Sequence, residues 1–231
     1  MKKTIALIIA LVVILTCFAG CKKGSFEGGA VVTDFAGQNL AIVTQESGGI
    51  VRDDSGNVVV LVTDADGYNV KDDKGENVTQ AIAIEHAIVI GTRVELADYA
   101  INIPDGWSNA DSYNGFQISK DGTNDIISLT AYREEKLADV QANNDVFITG
   151  ATTQYKGAKT QNTTMKIAGK DASFVSAYVS AEQTGSTGSY IGFITFTHQG
   201  VIFNCMLTSD RDLAGQMKEI TDILNTIEFI H

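Results

Sequence analysis

Short apolar runs separated by polar turns dominate residues 26–92 and predict a small unit built from β-hairpins. The runs are rich in Val and Ile, as in Val58–Thr63 and Ala81–Ile90, and Asp, Gly and Asn fill the segments between them. Runs of β-branched residues bounded by such residues are typical of short strands joined by tight turns. We therefore interpret residues 26–92 as a β-rich region.

One turn pattern recurs in this region: Asp, two residues, Gly, two residues and an apolar residue. An Asp side chain bonds the local backbone and Gly accepts a positive φ, so the pattern predicts tight turns. The spacing between copies is irregular, which argues against a solenoid of fixed period. The copies are Asp34–Gly37–Leu40, Asp53–Gly56–Val59, Asp64–Gly67–Val70 and Asp72–Gly75–Val78.

The acidic turn at Asp64 and Asp66 is a candidate calcium-binding segment. Aligning Gly67 with the glycine of an EF-hand loop puts Val62 at the first ligand position. Val cannot ligate a cation, so the EF-hand pattern fails. Two alternatives stay open, a looser oxygen site that includes Asp64 and Asp66, and turns that are simply solvated. No metal-ligand set is assigned.

Residues 93–231 show a different pattern of longer strands and two helices. The predicted strands are Val94–Ile103, Phe116–Ser119, Ile126–Tyr132, Lys159–Ile167, Ala172–Val179, Tyr190–Thr197 and Val201–Thr208, with Thr226–Ile230 closing the chain. A helix over Asn143–Tyr155 would present Phe147, Ile148, Ala151 and Tyr155 on one face. A second helix over Asp210–Asn225 carries apolar residues at helical spacing, and Ser209 or Asp210 is placed to cap it.

Three short motifs in this region resemble the Mog1/PsbP-like family. They are Ile103-Pro104-Asp105-Gly106-Trp107 after a strand, the segment 166–172 (KIAGKDA), and the end of the last helix, 223–229 (ILNTIEF). The resemblance implies an α+β fold, an antiparallel sheet with helices on both faces, preceded here by the β-hairpin-rich region. It also implies a binding or assembly protein, because the family shares no catalytic residues.

The first twenty residues resemble a secretory signal. Lys2 and Lys3 precede the uninterrupted apolar run Ile5–Leu15, and small residues follow at Ala19 and Gly20. This order is that of a cleaved export signal. The alternative is a membrane-spanning helix, but the apolar stretch is shorter than the roughly 20 residues that a span needs.

The segment Phe18-Ala19-Gly20-Cys21 resembles the bacterial lipobox, with Phe where Leu is usual. The resemblance implies cleavage before Cys21, a lipid on its thiol, and a tether over residues 21–25. There are two alternatives: the lipidated cysteine is Cys17, or the ordinary signal peptidase cleaves the chain. We therefore expect a lipoprotein on the outer face of the bacterial cell membrane, or anchored on the periplasmic side. Which membrane it occupies, if the cell has two, stays open.

The composition narrows the classes of partner. The chain has 231 residues and a formal net charge of −11, which becomes more negative once Lys2 and Lys3 leave with the signal. This acidity argues against nucleic-acid binding, which needs a basic surface. Cys205 lies in an alternating apolar run, so we interpret it as a buried core residue.

No catalytic constellation appears in the sequence, and no cofactor is assigned. The three histidines lack zinc-ligand spacing, and no nucleophile elbow or phosphate-binding loop is present. Two hypotheses follow. The first is a non-catalytic binding or assembly module whose partner is an unidentified protein or ligand. The second is a receptor for a small molecule or calcium, using the acidic turns or a pocket under Trp107. Trp107 otherwise covers one end of a core.

The lipid assignment predicts the behaviour of Cys21→Ala. Without the thiol no thioether forms, so labelling with a radioactive fatty acid should be lost. The mature protein should be released or remain unprocessed, as judged by fractionation. Cys17→Ala is the matched control and should keep the label. Lipid labelling that persists in Cys21→Ala contradicts the assignment.

Overall fold

The computed structural model describes residues 30–33, 39–45, 49–64, 68–84, 87–110 and 115–230. The predictions for the signal, for Cys21 and for the tether lie outside these ranges. The chain divides into two compact units, one up to Ile84 and one from Glu85 onward. The sequence-based boundary lay after Thr92. It falls earlier in the structure because strand Ile88–Ile90 pairs with Arg93–Glu95 of the second unit.

The first unit contains a four-stranded antiparallel sheet with its strands in sequence order. The strands are β1 (Ala30–Thr33), β2 (Asn39–Ile42), β3 (Val58–Leu61) and β4 (Thr79–Ile82). All four residues of β3 are buried, which confirms the strand predicted at Val58. The apolar run predicted as one element over Ala81–Ile90 forms two strands, β4 here and β5 in the second unit.

Two rings of backbone hydrogen bonds organise this unit. In the first ring, the N–H of Val43 bonds the carbonyl of Val59, that of Val59 bonds the carbonyl of Val51, and that of Val51 bonds the carbonyl of Val43, at 2.9–3.0 Å. Val62, Val70 and Val78 form the same ring at 2.9 Å. Each member of the second ring follows its counterpart by 19 residues, and the isolated bridges repeat at the same offset. This part of the unit therefore contains two copies of a 19-residue segment, which corrects the interpretation that the turns follow no fixed period.

The predicted turn chemistry is confirmed where the turns are described. The Asp53 carboxylate accepts the N–H groups of Ser55 and Asn57, at 2.9 and 2.8 Å. Asp72 accepts the equivalent two N–H groups of its own turn at 2.8 Å. Gly56 and Gly75 have φ of 81° and 80°, a conformation that glycine adopts without strain.

The second unit contains two antiparallel sheets. Strands β5 (Ile88–Ile90), β6 (Arg93–Glu95), β7 (Tyr99–Asn102) and β15 (Glu228–Phe229) form the small sheet, in the order β15-β7-β6-β5. The large sheet has the order β11-β12-β13-β14-β10-β9-β8. Its strands are β8 (Trp107–Ala110), β9 (Gly115–Lys120), β10 (Ile126–Tyr132), β11 (Lys159–Ile167), β12 (Lys170–Val179), β13 (Ser189–His198) and β14 (Val201–Ser209).

Most predicted strands of this unit are confirmed, and the bounds of β10 and β11 agree with the prediction at both ends. The exception is Val94–Ile103. It breaks into β6 and β7, because Leu96 donates its N–H to the Tyr99 carbonyl across a tight turn at 2.9 Å.

Aromatic packing around Phe203 joins the two sheets. Phe203 stacks on Phe196 of the neighbouring strand at 5.1 Å between ring centroids. Tyr99 and Phe229 of the small sheet meet the same ring edge-on at 5.6 and 5.3 Å. Cys205 lies on the same face and is fully buried, as predicted. Burial raises the pKa of its thiol well above the usual range, which keeps it protonated and unreactive.

The helices differ from the prediction in number and extent. The long helix α1 (Leu137–Gln154) begins six residues before the predicted Asn143 and buries Val140 and Asn144. Phe147, predicted on the inner face, is 58% exposed. A single turn, α2, covers Ala181–Thr184. The described fold is thus mostly antiparallel sheet, closer to all-β than to the predicted α+β class.

The last helix is shorter than predicted. Residues 214–216 form a 3-10 turn, and α3 covers only Met217–Leu224. The predicted caps bind elsewhere, because Ser209 donates to Asp125 and Asp210 accepts from Asn124. Asp212 instead accepts the N–H of Ala214 at 3.0 Å. The closing strand is confirmed as β15.

A buried polar network holds α1 on the large sheet. Asn144 donates its amide to Thr195 at 3.1 Å and to Asn204 at 3.0 Å. The Asn204 amide donates back to Asn144 at 3.1 Å, and the Thr195 hydroxyl donates to Asn204 at 2.8 Å. Because Asn204 alternates with Phe203 along β14, this network lies on the face opposite the aromatic cluster.

This network predicts that Asn144→Ala destabilises the fold by about 1–3 kcal/mol, because buried amide and hydroxyl groups lose their partner. Asn143→Ala is the matched control. It makes the same change in helix propensity at the exposed neighbouring position. Urea unfolding should separate the two variants by that amount. Equal free energies of unfolding for the two variants would show that the network contributes nothing.

Candidate functional site

The turn before Trp107 positions this side chain at the start of β8. Trp107 donates its backbone N–H to the Pro104 carbonyl at 3.2 Å, so Pro104 is the first residue of the turn. Gly106 takes the corner that needs a positive φ, at 79°. The turn directs Trp107 inward, where it is 8% exposed.

Glu219 of α3 links three elements of the second unit. Its carboxylate accepts the indole N–H of Trp107 at 3.0 Å and the Lys120 ammonium at 2.7 and 2.8 Å. The Lys120 ammonium also lies 5.7 Å from the centre of the Trp107 ring. The hydrogen bonds from Lys120 and Trp107 lower the pKa of Glu219. These contacts fix α3 against β8 and β9.

An ion pair between buried Asp125 and partly exposed Arg211 reinforces the neighbouring connection. Asp125 is 3% exposed and accepts the Ser209 hydroxyl at 2.6 Å and Arg211 Nε at 3.1 Å. A second guanidinium nitrogen binds the other carboxylate oxygen. Burial would raise the pKa of Asp125, but the hydrogen bonds from Arg211 and Ser209 outweigh it, and the pKa lies below its ordinary value.

A groove of about 490 Å³ runs beside α3. The end of β7 forms one wall, where the Asn102 N–H donates to the Thr226 hydroxyl oxygen at 3.0 Å. The 3-10 turn and α3 contribute Gly215, Gln216, Glu219 and Asp222. The Gln216 side-chain oxygen is buried and has no hydrogen-bond partner among the described residues. The groove combines apolar surface with a few polar groups, as ligand sites generally do.

The residues singled out from the sequence do not converge on this groove. Trp107 is buried, and it reaches the groove only through its bond to Glu219. Asp64 is exposed in the first unit and accepts the Tyr68 N–H at 2.9 Å. Asp66 and Cys21 lie outside the described residues.

Other chemistry is sparse in the described part of the chain. No group of three or more His, Cys, Asp or Glu side chains is placed there to hold a metal ion. His198 ends β13, and its ring lies 4.1 Å from the Phe229 ring. Within the described ranges, no helix combines the length and apolarity needed to span a membrane.

Comparison with known proteins gives similarity to solved structures only. No family model matches the sequence, and no curated protein matches it. A protein from Bacteroides thetaiotaomicron has 16% identity over 58% of this chain, with a TM-score of 0.41. This chain spans only 45% of that protein's length.

Two further solved structures are similar over comparable lengths. The cyanobacterial PsbP of Synechocystis has 13% identity, covering 57% of this chain and 86% of its own, with a TM-score of 0.38. LpqN, involved in cell envelope biogenesis of Mycobacterium tuberculosis, has 14% identity, covering 56% and 82%, with a TM-score of 0.37. A PsbP is thus among the similar structures. At TM-scores below 0.5 these similarities say nothing of function, and the family assignment stays a prediction.

The groove residues were not identified from the sequence, although one signal was present. The apolar stripe of the last helix was predicted to face the core, and Ile220, Ile223 and Leu224 are buried. The opposite side of that helix carries Glu219 and Asp222. The partners of Glu219, Trp107 and Lys120, are distant in sequence, so only the folded chain shows that this side of the helix borders a groove.

The lowered pKa of Asp125 predicts a loss of stability in acid. The pKa of Asp125 in the folded state lies below the ordinary value of 3.8, so the ionised carboxylate stabilises the fold at pH values above 3.8. This stabilisation is lost as the pH falls through the pKa of the folded state. Asp125→Asn should therefore make the free energy of unfolding depend less on pH below about 4. Urea titrations over this range measure the effect.

Asp145→Asn, at an exposed position of α1, is the matched control for this measurement. It removes the same charge without touching a buried ion pair. An Asp125→Asn profile that runs parallel to the wild-type profile would contradict the prediction.

Proposed function

We propose that this chain is a non-catalytic binding or assembly module, held by lipid on Cys21 at the outer face of a bacterial membrane. The groove beside α3 is its binding site. The proposal is based on the groove, because side-chain hydrogen bonds hold in place the elements that form each of its two walls. The location rests on the export signal and on the lipobox resemblance.

The walls are already fixed before anything binds. On one side Thr226 accepts the Asn102 N–H and donates its hydroxyl to the Ile223 carbonyl at 2.7 Å. On the other side Glu219 is bound by Trp107 and Lys120. A site with ordered walls loses little conformational entropy when a ligand enters, so more of the contact energy appears as affinity.

The charged groups at the groove support binding rather than catalysis. Lys218 pairs with Asp222 at 2.5 Å on the same helix. Glu219 is held ionised by Lys120 and Trp107, and a carboxylate of lowered pKa is a weak general base and a poor proton donor near neutral pH. These side chains recognise shape and polar groups, and none of them is poised for proton transfer.

The acidic body suits a position just outside the membrane. The whole chain has a net charge of −11, and this acidity is repelled by anionic headgroups. Lys22 and Lys23 follow Cys21 directly, so the tether brings positive charge close to the lipid. The body then stays free to meet a partner in the surrounding space.

A small-molecule receptor is the second candidate, and the size of the groove favours it. About 490 Å³ lies within the range of roughly 300–1,000 Å³ found for ligand pockets. A calcium receptor would instead use Asp64 and Asp66 of the first unit. A calorimetric titration that shows no heat of binding at millimolar calcium would contradict the calcium-receptor hypothesis.

Filling the groove tests the proposal directly. Gly215 lines the groove and a Cβ built on it meets no atom within 4 Å, so Gly215→Trp starts a side chain there without a clash at Cβ and should obstruct the groove. Gly150→Trp is the matched control, since Gly150 on exposed α1 has equally open surroundings. Circular dichroism and thermal unfolding establish that both variants fold.

We expect the proteins cross-linked to the wild-type chain in native membranes to persist with Gly150→Trp and to be lost with Gly215→Trp. For the small-molecule version, ligands that raise the melting temperature of the wild type should fail with Gly215→Trp only. Partners and ligands that bind both variants equally well would place the binding site elsewhere.

A further inference from the structure

Strand β11 is an unusually long and open edge of the large sheet. It has nine residues, all paired with β12 in a continuous register. Its first six residues are exposed. Among the described residues no strand lies along its other side.

The outward backbone groups of β11 follow from its turn. Ala168 and Gly169 have φ of 46° and 76°, which marks a two-residue hairpin turn. Ile167 and Lys170 therefore form the first hydrogen-bonded pair, and pairs alternate from there. Residues 160, 162, 164 and 166 consequently direct their N–H and C=O groups away from β12. The Thr163 hydroxyl reaches the Thr164 carbonyl at 3.5 Å, which agrees with this direction.

This edge lacks the features that normally prevent strand addition. Proteins protect edges with proline, bulges, short strands or charged side chains. The segment 160–165 (TQNTTM) contains neither proline nor charge, and its pairing with β12 has no bulge. Threonine, which favours strands, supplies half of the segment. Such an edge is a template for another strand.

We infer that β11 pairs with β11 of a second copy of this chain, antiparallel and centred on Thr163. In this register Thr160 lies opposite Lys166, and Asn162 lies opposite Thr164. All four outward residues of each copy then belong to hydrogen-bonded pairs, giving roughly eight bonds across the interface. Sliding the register by two residues leaves outward groups unpaired at both ends.

The charges of β11 are compatible with a second copy as the occupant. The only charged residues of β11 are Lys159 and Lys166. In the centred register neither lysine faces its own counterpart, and Lys159 of one copy lies one position from Lys166 of the other but on the opposite face of the ladder. The two Lys166 residues lie six positions apart along the ladder, or roughly 20 Å, which exceeds the screening length of about 8 Å at physiological salt. Lys166 is also paired with Asp171 at 2.7 Å.

The centre of the interface is self-complementary. Thr163 faces Thr163 in a non-hydrogen-bonded pair, where side chains approach most closely, and Thr–Thr pairs are favourable. The same surface patch is used by both copies, which is the usual geometry of a two-fold dimer. The inference rests on strand pairing and does not depend on the groove beside α3.

Disulfide trapping in the full-length chain tests the register. In Thr163→Cys the two introduced thiols face each other, so mild oxidation should shift the protein from monomer to covalent dimer on a non-reducing gel. Gln161→Cys is the matched control on the same face of the same strand. Its two thiols would be roughly 13 Å apart, too far for a disulfide. Cys205 is buried, and Cys17 and Cys21 are changed to Ala in both variants, so that only the introduced thiols can form the disulfide.

Charge swapping at Thr163 tests the identity of the occupant. Thr163→Lys or Thr163→Glu alone places like charges opposite each other, so each variant should sediment as a monomer. An equimolar mixture should restore the dimer, because opposite charges then face each other across the ladder. Thermal unfolding checks that the variants fold.

Three results would overturn the inference. They are a wild-type chain that sediments as a monomer, equal cross-linking of Thr163→Cys and Gln161→Cys, and a mixture of the charged variants that stays monomeric. Cross-linking of Thr163→Cys to a different protein instead would assign the edge to an extended peptide from another chain.

Discussion

The aromatic cluster centred on Phe203 is the interaction on which the second unit depends. Phe203 lies on a central strand, and the rings of Tyr99 and Phe229 bring the small sheet onto it. Tyr99 also donates its hydroxyl to the Leu129 carbonyl at 2.9 Å, which fixes the position of β7. Because β7 leads into the turn before Trp107 and β15 follows α3, this one cluster sets both walls of the groove.

The two faces of the large sheet are covered by different kinds of contact. The face that carries Phe203 packs through apolar rings, whose burial stabilises the fold. The opposite face receives α1 through Asn144, Thr195 and Asn204. Polar networks of this kind contribute less free energy, but they accept only one arrangement of partners. The apolar face therefore provides strength, and the polar face fixes where α1 lies.

Strands were predictable because alternation is a local property of the chain. Strands β10 and β11 agree with prediction residue for residue, and the burial of Cys205 follows from the same alternation. The helices were harder to predict. The spacing of Phe147 and Tyr155 predicted that they lie on the buried face of the helix, whereas Val140 and Asn144 occupy that face. The groove was beyond prediction, since Asn102 and Thr226 meet only through tertiary packing. The duplicated segment was visible in principle, but Gln45 replaces the Asp found at the equivalent position 64 and hides the first copy.

The two valine rings of the first unit suggest how this region arose. Each ring closes on itself through three backbone hydrogen bonds, so a copy of the segment carries the partners of its own ring with it. A tandem duplication in the gene would then add a second ring without breaking the first. Further duplications or deletions of whole copies would be tolerated for the same reason, and relatives of this chain should differ there in steps of one copy.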